Sequence, residues 1–181
     1  FHGWADAPFV GAANDNPNNG IPQQVRDTMV VLPYDIAQVE RVLDEDADVA
    51  AVVFQGNHVI HPSFIQQLRE VTAQRDVMLI FDEVVTGFRT SKGGAQGYYG
   101  VTADLSTHAK ILGGGLPGGA VAGKAELIDM IQLSDDPEYN SDRRVQHNGT
   151  FNANPLSRDY IFHRTARVVE DATRIVRVER K

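Results

Sequence analysis

The stretch LIFDEVVTGFRTSKGGAQGYYGVTADLSTHAKILGGGLPGGAVAG, residues 79–123, decides how the whole chain is interpreted. It opens with an apolar run that ends in two acids, Asp82 and Glu83, and it closes with a turn crowded with glycine. One lysine, Lys110, stands between two apolar residues in its second half. Ligands of open α/β sheets gather at the carboxyl ends of the strands, which is where a strand that ends in acids would hold them.

Short apolar runs alternate with helical patterns on the amino-terminal side of this stretch. We predict strands at residues 28–32 (TMVVL), 49–55 (VAAVVFQ) and 77–81 (VMLIF), because each run is of strand length and apolar nearly throughout. Helical spacing predicts one helix that Asp35 caps and a second that begins at Pro62. This order predicts an α/β fold with a mostly parallel sheet that is buried on both faces and flanked by helices.

The carboxyl-terminal half is less regular. We expect a loop from Gly87 to Tyr99, a short strand within ADLSTHAK and another within GGAVAGK. AELIDMIQL has the pattern of a helix, and residues 134–144 (SDDPEYNSDRR) that of a polar surface loop.

Composition excludes several classes of protein. The 181 residues contain no cysteine, so disulfide and thiolate chemistry are absent and a reducing cytoplasm is suitable. The net charge of −7 argues against nucleic acid as a partner. No apolar run approaches the roughly 18 residues of a membrane span. We therefore expect a cytoplasmic protein with neither nucleic acid nor a membrane as its partner. The absence of an initiator Met indicates that the chain begins partway into something or has been processed.

Three motifs suggest ligands but match their patterns poorly. The sequence GGAVAGKA (118–125) resembles a phosphate loop, except that Ala125 stands where the metal-binding hydroxyl belongs. Gly113, Gly115 and Gly118 meet the dinucleotide pattern without a clear helix after them. His58 and His61 lack the third ligand of a metal site, and we predict no metal.

The neighbours of Lys110 allow two interpretations. Ala109 and Ile111 flank it, and a lysine kept from water has a lowered pKa, which makes its amine a nucleophile that forms Schiff bases with aldehydes. Alternatively, it is a surface lysine with its ammonium group in water. The acid pair also allows two interpretations. Asp82 and Glu83 either face a ligand or are solvated residues that begin a turn.

Five segments taken together resemble the class III pyridoxal-phosphate-dependent aminotransferases of fold type I, in particular the glutamate-1-semialdehyde 2,1-aminomutase branch. They are FHGW (1–4), LPYDIAQVERVL (32–43), LREVTAQRDVMLIFDEVVTGFR (68–89), AKILGGGLPGGAVAGK (109–124) and HNGTFNANPLS (147–157). The lysine follows the aspartate by 28 positions, as in that family. The resemblance implies the large-domain fold of these enzymes and amino-group transfer, by a transaminase or an aminomutase, between an amino donor and a carbonyl acceptor.

The resemblance also implies catalytic roles for Lys110 and Asp82. Lys110 would hold pyridoxal 5'-phosphate as a Schiff base and then act as general base. Asp82 would pair with the pyridine nitrogen and keep it protonated.

The remaining cofactor contacts follow from the same resemblance. Phe1, beside His2 in the cofactor-binding FHGW segment, would stack on one face of the ring, and Val84 would pack against the other. Gly149 and Thr150 would bind the phosphate of the neighbouring subunit's cofactor, which implies a homodimer with shared sites.

The sequence departs from the family in two regions. Gln55 stands where relatives carry Glu, and residues 158–181 form a basic tail with weak resemblance. The tail holds 7 basic and 4 acidic side chains, against 10 and 20 in residues 1–157. We interpret 1–157 as an incomplete pyridoxal-phosphate-binding large-domain region and 158–181 as a possible helix or a non-native end. The alternative function is an inactive fragment or pseudoenzyme that keeps the fold and the dimer surface.

Overall fold

The computed structural model of the chain describes residues 2–3, 5–10, 20–56, 60–150 and 152–170. Within these ranges the α-helices are α1 (Asp6–Phe9), α2 (Gln23–Arg26), α3 (Ile36–Glu45), α4 (Pro62–Gln74), α5 (Gly94–Tyr99), α6 (Ala125–Ile128) and α7 (Pro155–Glu170). The strands are β1 (Ala51–Gln55), β2 (Met78–Asp82), β3 (Leu105–His108) and β4 (Ala120–Gly123). No helix in this part of the chain is both long and apolar enough to cross a membrane.

The four strands form one sheet in the order β1-β2-β3-β4. The first three are parallel, and β4 runs antiparallel to β3. This confirms the predicted α/β fold with a mostly parallel sheet. The register aligns Gln55 with Asp82 and Asp82 with Thr107, so the carboxyl ends of β1, β2 and β3 meet at one edge.

The core lies on one face of the sheet. Phe54, Leu79 and Phe81 point to this face, where helices α3, α4 and α5 cover them. The helices contribute Val39, Ile65, Leu68, Val71, Ala95 and Tyr99 to the same cluster. The expectation that both faces are buried is wrong for the described residues, because Val53 on the opposite face is 38% exposed and all of β4 is exposed.

The two longest helices of the amino-terminal half begin as the sequence predicts. The Asp35 carboxylate accepts a hydrogen bond from the Ala37 N–H and caps α3. Pro62 occupies the first turn of α4, and the ring of His61 caps that helix by accepting from the Ser63 N–H.

Asp104 stabilises the opposite edge of the sheet, at the amino ends of β2 and β3. Its carboxylate accepts hydrogen bonds from the Leu79 N–H at 2.7 Å, from Arg69 at 2.7 Å and from Lys124 at 2.8 Å. Burial alone would raise the pKa of Asp104, but these donors lower it to about 2. The ionised carboxylate therefore ties α4, β2 and the end of β4 together.

Four local predictions are corrected. Residues 28–32 are not a strand, because they have no ladder partner in the described part of the chain; Val30 and Val31 are 59% and 62% exposed. Residues 94–99, predicted as loop, form α5. The polar segment 134–144 contains one π-helical turn at Tyr139–Arg143. The helix expected within AELIDMIQL is short, since α6 passes into a 3-10 turn at Asp129–Ile131.

Helix α7 runs through the boundary drawn at residue 157, and residues 171–181 lie outside the described part. Its first turns pack on the glycine-rich turn that follows β3. A Cβ atom on Gly114 would collide with the Tyr160 ring, and one on Gly118 would meet Ile161 at 3.5 Å. The start of the basic tail is thus a helix in contact with the segment that carries Lys110.

Candidate active site

Asp82 is the last residue of β2 and is buried, with 4% of its surface exposed. Its Oδ2 lies 2.8 Å from His2 Nδ1, and its Oδ1 accepts a hydrogen bond from the Val84 N–H at 3.1 Å. The Thr107 hydroxyl, on the neighbouring strand, makes a longer contact of 3.5 Å with Oδ1. The carboxylate is therefore held from three directions at the carboxyl edge of the sheet.

These contacts favour the ionised form of Asp82. Burial by itself would raise the pKa of this carboxyl, but the bonds from His2 and from the Val84 N–H lower it below the ordinary value of 3.8. An ionised carboxylate only accepts hydrogen bonds, so His2 Nδ1 carries the proton in this pair. Asp82 is a fixed negative charge in a largely enclosed position.

Lys110 follows the end of β3 by two residues and lies at the same edge of the sheet as Asp82, since Thr107 is the register partner of Asp82. The lysine has a left-handed backbone with φ of +47°, which costs a residue with a side chain roughly 1–2 kcal/mol. Its carbonyl accepts a hydrogen bond from the Gly114 N–H. The backbone of the turn thus fixes an unfavourable conformation at this residue.

The side chain of Lys110 is exposed, and it forms no hydrogen bond or ion pair within the described ranges. The interpretation of the flanking Ala109 and Ile111 as a sign of burial is therefore wrong. The apolar neighbours do not shield the side chain, which is exposed in the turn that follows β3. What distinguishes Lys110 is a free amine on a constrained backbone.

The glycines after Lys110 are required by the shape of the turn. A Cβ on Gly113 would lie 2.6 Å from the Leu116 carbonyl oxygen. Gly114 and Gly115 have φ values of +56° and +101°, which residues with a side chain rarely adopt. The tight turn keeps the Lys110 segment close to the end of the sheet.

The other predicted site residues are only partly brought together. Val84 is partly buried and donates its N–H to Asp82, whereas Phe1 lies outside the described residues, as does His58. Gly149 and Thr150 are exposed in the turn before α7, where the Asn152 N–H bonds to the Gly149 carbonyl. Neither of these two residues contacts Asp82 through a hydrogen bond in the described part of the chain.

A cavity of about 250 Å³ opens in front of Asp82. Apolar side chains provide most of its wall, and Asp82, His2 and Thr107 provide the polar part. Ligand pockets commonly measure roughly 300–1,000 Å³, so this space lies just below that range. Lys110 is not among the lining residues, so within the described ranges this cavity contains the Asp82 half of the predicted site.

Sequence reasoning missed Thr107 and His108 at this edge and left the role of Glu83 open. Thr107 joins Asp82 because of the strand register, which the sequence does not reveal. Glu83 and His108 lie on the opposite face of the sheet from Asp82, and there the Glu83 carboxylate is fully buried. Burial lowers the pKa of His108, an effect that the nearby Glu83 charge partly offsets.

Only one of the two ring nitrogens of His108 has a hydrogen-bond partner in the described residues. Its Nε2 lies 2.9 Å from the Ser106 hydroxyl, while its buried Nδ1 has no hydrogen-bond partner in the described part of the chain. The only sequence signal for this residue was its position two residues before Lys110.

The arrangement of Asp82 and Lys110 suits one kind of small molecule. A buried carboxylate that stays ionised can hold a protonated ring nitrogen, and an amine at the same edge can bond to an aldehyde carbon. The described residues hold Asp82 at the end of β2 and Lys110 in the turn after β3, which suits a cofactor that carries a basic ring and an aldehyde.

The chain matches known proteins over most of its length. The sequence profile of the family described as Aminotransferase class-III matches residues 12–181. The glutamate-1-semialdehyde 2,1-aminomutase of Sulfolobus acidocaldarius is 46% identical over 169 residues, covering 87% of this chain and 38% of the relative. The enzyme of the same name from Archaeoglobus fulgidus is 41% identical over 170 residues, with the same coverage of 87% and 38%. The chain thus spans 38% of the length of these relatives.

Solved structures give the same result for the fold. An omega-transaminase from Sphaerobacter thermophilus superimposes with a TM-score of 0.79 at 36% identity, covering 93% of this chain and 42% of that one. A transaminase determined with PLP bound gives a TM-score of 0.74 at 28% identity, covering 96% and 42% of the two chains. The fold of this chain is that of a segment of the PLP-dependent transaminases.

Proposed function

Because this chain belongs to the aminotransferase class-III family, we propose that it serves amino-group transfer with pyridoxal 5'-phosphate, as part of a transaminase or an aminomutase. The observation that carries the proposal is the ionised Asp82 carboxylate at the edge of the sheet that also carries Lys110. When bound, the cofactor supplies a cationic ring that draws electron density from the substrate carbon.

Asp82 and Lys110 would have different roles in the reaction. Asp82 would keep the proton on the ring nitrogen, and the His2 ring and the Val84 N–H support this by holding the carboxylate ionised and directed. Lys110 would hold the cofactor covalently through its ε-amino group, and that amine, once released, would carry a proton to and from the substrate carbon. Because the Lys110 side chain is exposed, its amine is accessible to the cofactor and to the substrate.

The remaining assignments belong to the same proposal. Phe1 and Val84 would pack on the two faces of the ring. Gly149 and Thr150 would bind the cofactor phosphate of a second copy of the chain, which makes the protein a homodimer with shared sites. Two observations support this assignment. Gly149 and Thr150 are exposed, and in the described part of the chain neither forms a hydrogen bond with Asp82 of the same copy.

We favour the aminomutase, an isomerase, over the transaminase. Both sequence relatives described above carry the name of an aminomutase. A transaminase accepts an amino donor and a carbonyl acceptor in turn, whereas an aminomutase moves the amino group within one molecule. The substrate class is therefore an amino aldehyde or an amino acid with a second carbonyl carbon.

One set of assays tests these functions together. The chain, loaded with pyridoxal 5'-phosphate, would be given glutamate 1-semialdehyde alone, and separately an amino acid with a keto-acid acceptor. Conversion of the semialdehyde without an acceptor supports the aminomutase, and turnover only in the second mixture supports the transaminase. Cofactor binding without turnover in either mixture would favour the inactive fragment. A failure to bind cofactor would contradict the proposal itself.

A cytoplasmic location is part of the proposal as well. Its support is the absence of cysteine from the sequence, which suits a reducing compartment. Fractionation of source cells with an antibody against this chain would test it, and recovery in a secreted or membrane fraction would contradict it.

A further inference from the structure

The Glu83 carboxylate is fully buried on the reverse side of the strand end from Asp82, with 0% of the residue exposed. It accepts hydrogen bonds from the Thr86 hydroxyl and from the Ala95 and Gln96 N–H groups, the latter two at 2.9 Å each. A buried carboxylate is costly unless its oxygens are satisfied, and three donors satisfy this one.

These bonds join segments that are distant in the sequence. Ala95 and Gln96 open helix α5, so the Glu83 side chain caps a helix that begins eleven residues later. The main chain of Glu83 is fixed too, since its N–H bonds to the Thr107 carbonyl at 2.9 Å and its carbonyl accepts from the Gly87 N–H at 2.8 Å. Glu83 is thereby linked to β3, to its own turn and to α5.

Two glycines leave room for this carboxylate and for nothing larger. A Cβ on Gly94 would lie 2.6 Å from both Glu83 oxygens, and Gly94 also has a φ of +66°. A Cβ on Gly87 would lie 2.7 Å from the Glu83 carbonyl oxygen. The backbone at both glycines therefore packs closely against Glu83.

The placement of Glu83 determines that of Asp82. Successive residues of a strand point to opposite faces, so anchoring Glu83 on the α5 side directs Asp82 to the side of His2 and Thr107. It also sets the plane of the following peptide, whose Val84 N–H reaches Asp82 Oδ1 at 3.1 Å. A shift of the Glu83 anchor would move both the Asp82 carboxylate and the donor that holds it.

We propose that Glu83 is a positioning residue for the cofactor site, and that it acts through Asp82 without touching the cofactor. This inference rests on the proposed function, because it assigns Asp82 to the ring nitrogen. In this proposal, the bonds of Glu83 to helix α5 and within the 82–87 turn fix the position of the Asp82 carboxylate.

The test compares two buried carboxylates at opposite ends of the same strands. Glu83→Gln keeps the size of the side chain and removes its charge, and Asp104→Asn does the same at the amino edge. Both variants should be less stable, so measurements are made at a temperature at which both remain folded. Asp82→Asn is the positive control for loss of the carboxylate itself.

The first readout needs no cofactor. The NMR signals of the Val84 amide and the His2 ring in the free chain should move in Glu83→Gln and stay in place in Asp104→Asn. In the second readout, Glu83→Gln should weaken pyridoxal phosphate binding about tenfold, the size of one lost hydrogen bond, and shift the absorption band of the bound cofactor. Asp104→Asn should change neither, and Asp82→Asn should weaken binding more than Glu83→Gln.

Unchanged Val84 and His2 signals in a destabilised Glu83→Gln would overturn the proposal and leave Glu83 a purely structural residue. If Glu83→Gln does not fold, Thr86→Val removes one donor to the same carboxylate and should move the same signals by a smaller amount. If the unaltered chain binds no cofactor, the proposed function fails, while the Val84 and His2 signals still decide how Glu83 affects Asp82.

Discussion

His2 Nδ1 lies 2.8 Å from Asp82 Oδ2, although the two residues are 80 positions apart in the chain. The contact joins the amino-terminal FHG segment to the end of β2 and holds a buried carboxylate in its ionised form. A protonated ring nitrogen needs a negative charge beside it, and the Asp82 carboxylate carries that charge. The contact with His2 therefore supports the proposed role of Asp82.

Replacing His2 with Ala should shift the pH dependence of cofactor binding. His2 lowers the pKa of Asp82, so its loss raises that pKa and the carboxylate is neutralised at a higher pH. We expect the acidic limb of pyridoxal phosphate binding to move upward in pH, as measured by absorbance titration. His61→Asn, which replaces an exposed helix cap by another capping residue, should leave the limb in place. An unshifted limb in His2→Ala would contradict the assigned contact.

Asp104→Asn should destabilise the chain by about 2–3 kcal/mol at neutral pH, because a buried charged acceptor loses its bonds to Leu79 and Arg69. Urea unfolding measures the difference. The exposed Asp44, which pairs with Arg75 at the surface, is the control, and Asp44→Asn should have little effect.

The same variant has a defined pH dependence. The pKa of Asp104 is about 2 in the fold against an ordinary 3.8, so its contribution is fully present above 3.8 and is lost as the pH falls toward 2. The stability difference between the unaltered chain and Asp104→Asn should shrink across this window. A constant difference from pH 5 to pH 2 would show that the charge contributes nothing.

His108→Leu should change how stability depends on pH near neutrality. Burial lowers the pKa of His108, and the facing Glu83 carboxylate offsets this only in part. Below the ordinary pKa of 6.5 the unfolded chain takes up a proton that the folded chain does not, so the unaltered protein loses stability as the pH falls. The variant should lack this component in urea unfolding, whereas His61→Asn should retain it. Identical profiles for His108→Leu and the unaltered chain would argue against a neutral imidazole.

Gly114→Ala should be more damaging than Gly100→Ala. Both glycines have left-handed backbones, with φ of +56° and +68°, but only the Cβ on Gly114 meets another group, the Tyr160 ring. The backbone cost of roughly 1–3 kcal/mol is common to both, and the collision adds to it at Gly114. Thermal unfolding measures the comparison. Tyr160→Ala should restore part of the loss in Gly114→Ala, and additive effects would show that α7 does not pack on this turn.

Helices α3 and α4 and strands β1 and β2 could be predicted because their signals are local. Apolar spacing, the Asp35 cap and Pro62 all lie within a few residues of the elements that they define. The shared edge of Asp82 and Lys110 followed from strand order and from the family resemblance.

Helix α5 could not be predicted, because Glu83 caps it from twelve residues before Ala95 and its own sequence, GAQGYY, has weak helical character. The exposed amine and left-handed backbone of Lys110 likewise depend on the fold of the turn after β3. Residues 28–32 have strand propensity, but a strand also needs a partner, and the sequence alone does not supply one.

Borohydride reduction tests the central claim most directly. The chain would be mixed with pyridoxal 5'-phosphate, reduced, digested and analysed by mass spectrometry to find the lysine that holds the cofactor. Lys124 is the internal control, since it is exposed and pairs with Asp104 at the opposite edge of the sheet. We predict that Lys110 carries nearly all of the label and that a distinct absorption band precedes reduction. Label spread evenly over Lys92, Lys110 and Lys124, with no such band, would contradict the account.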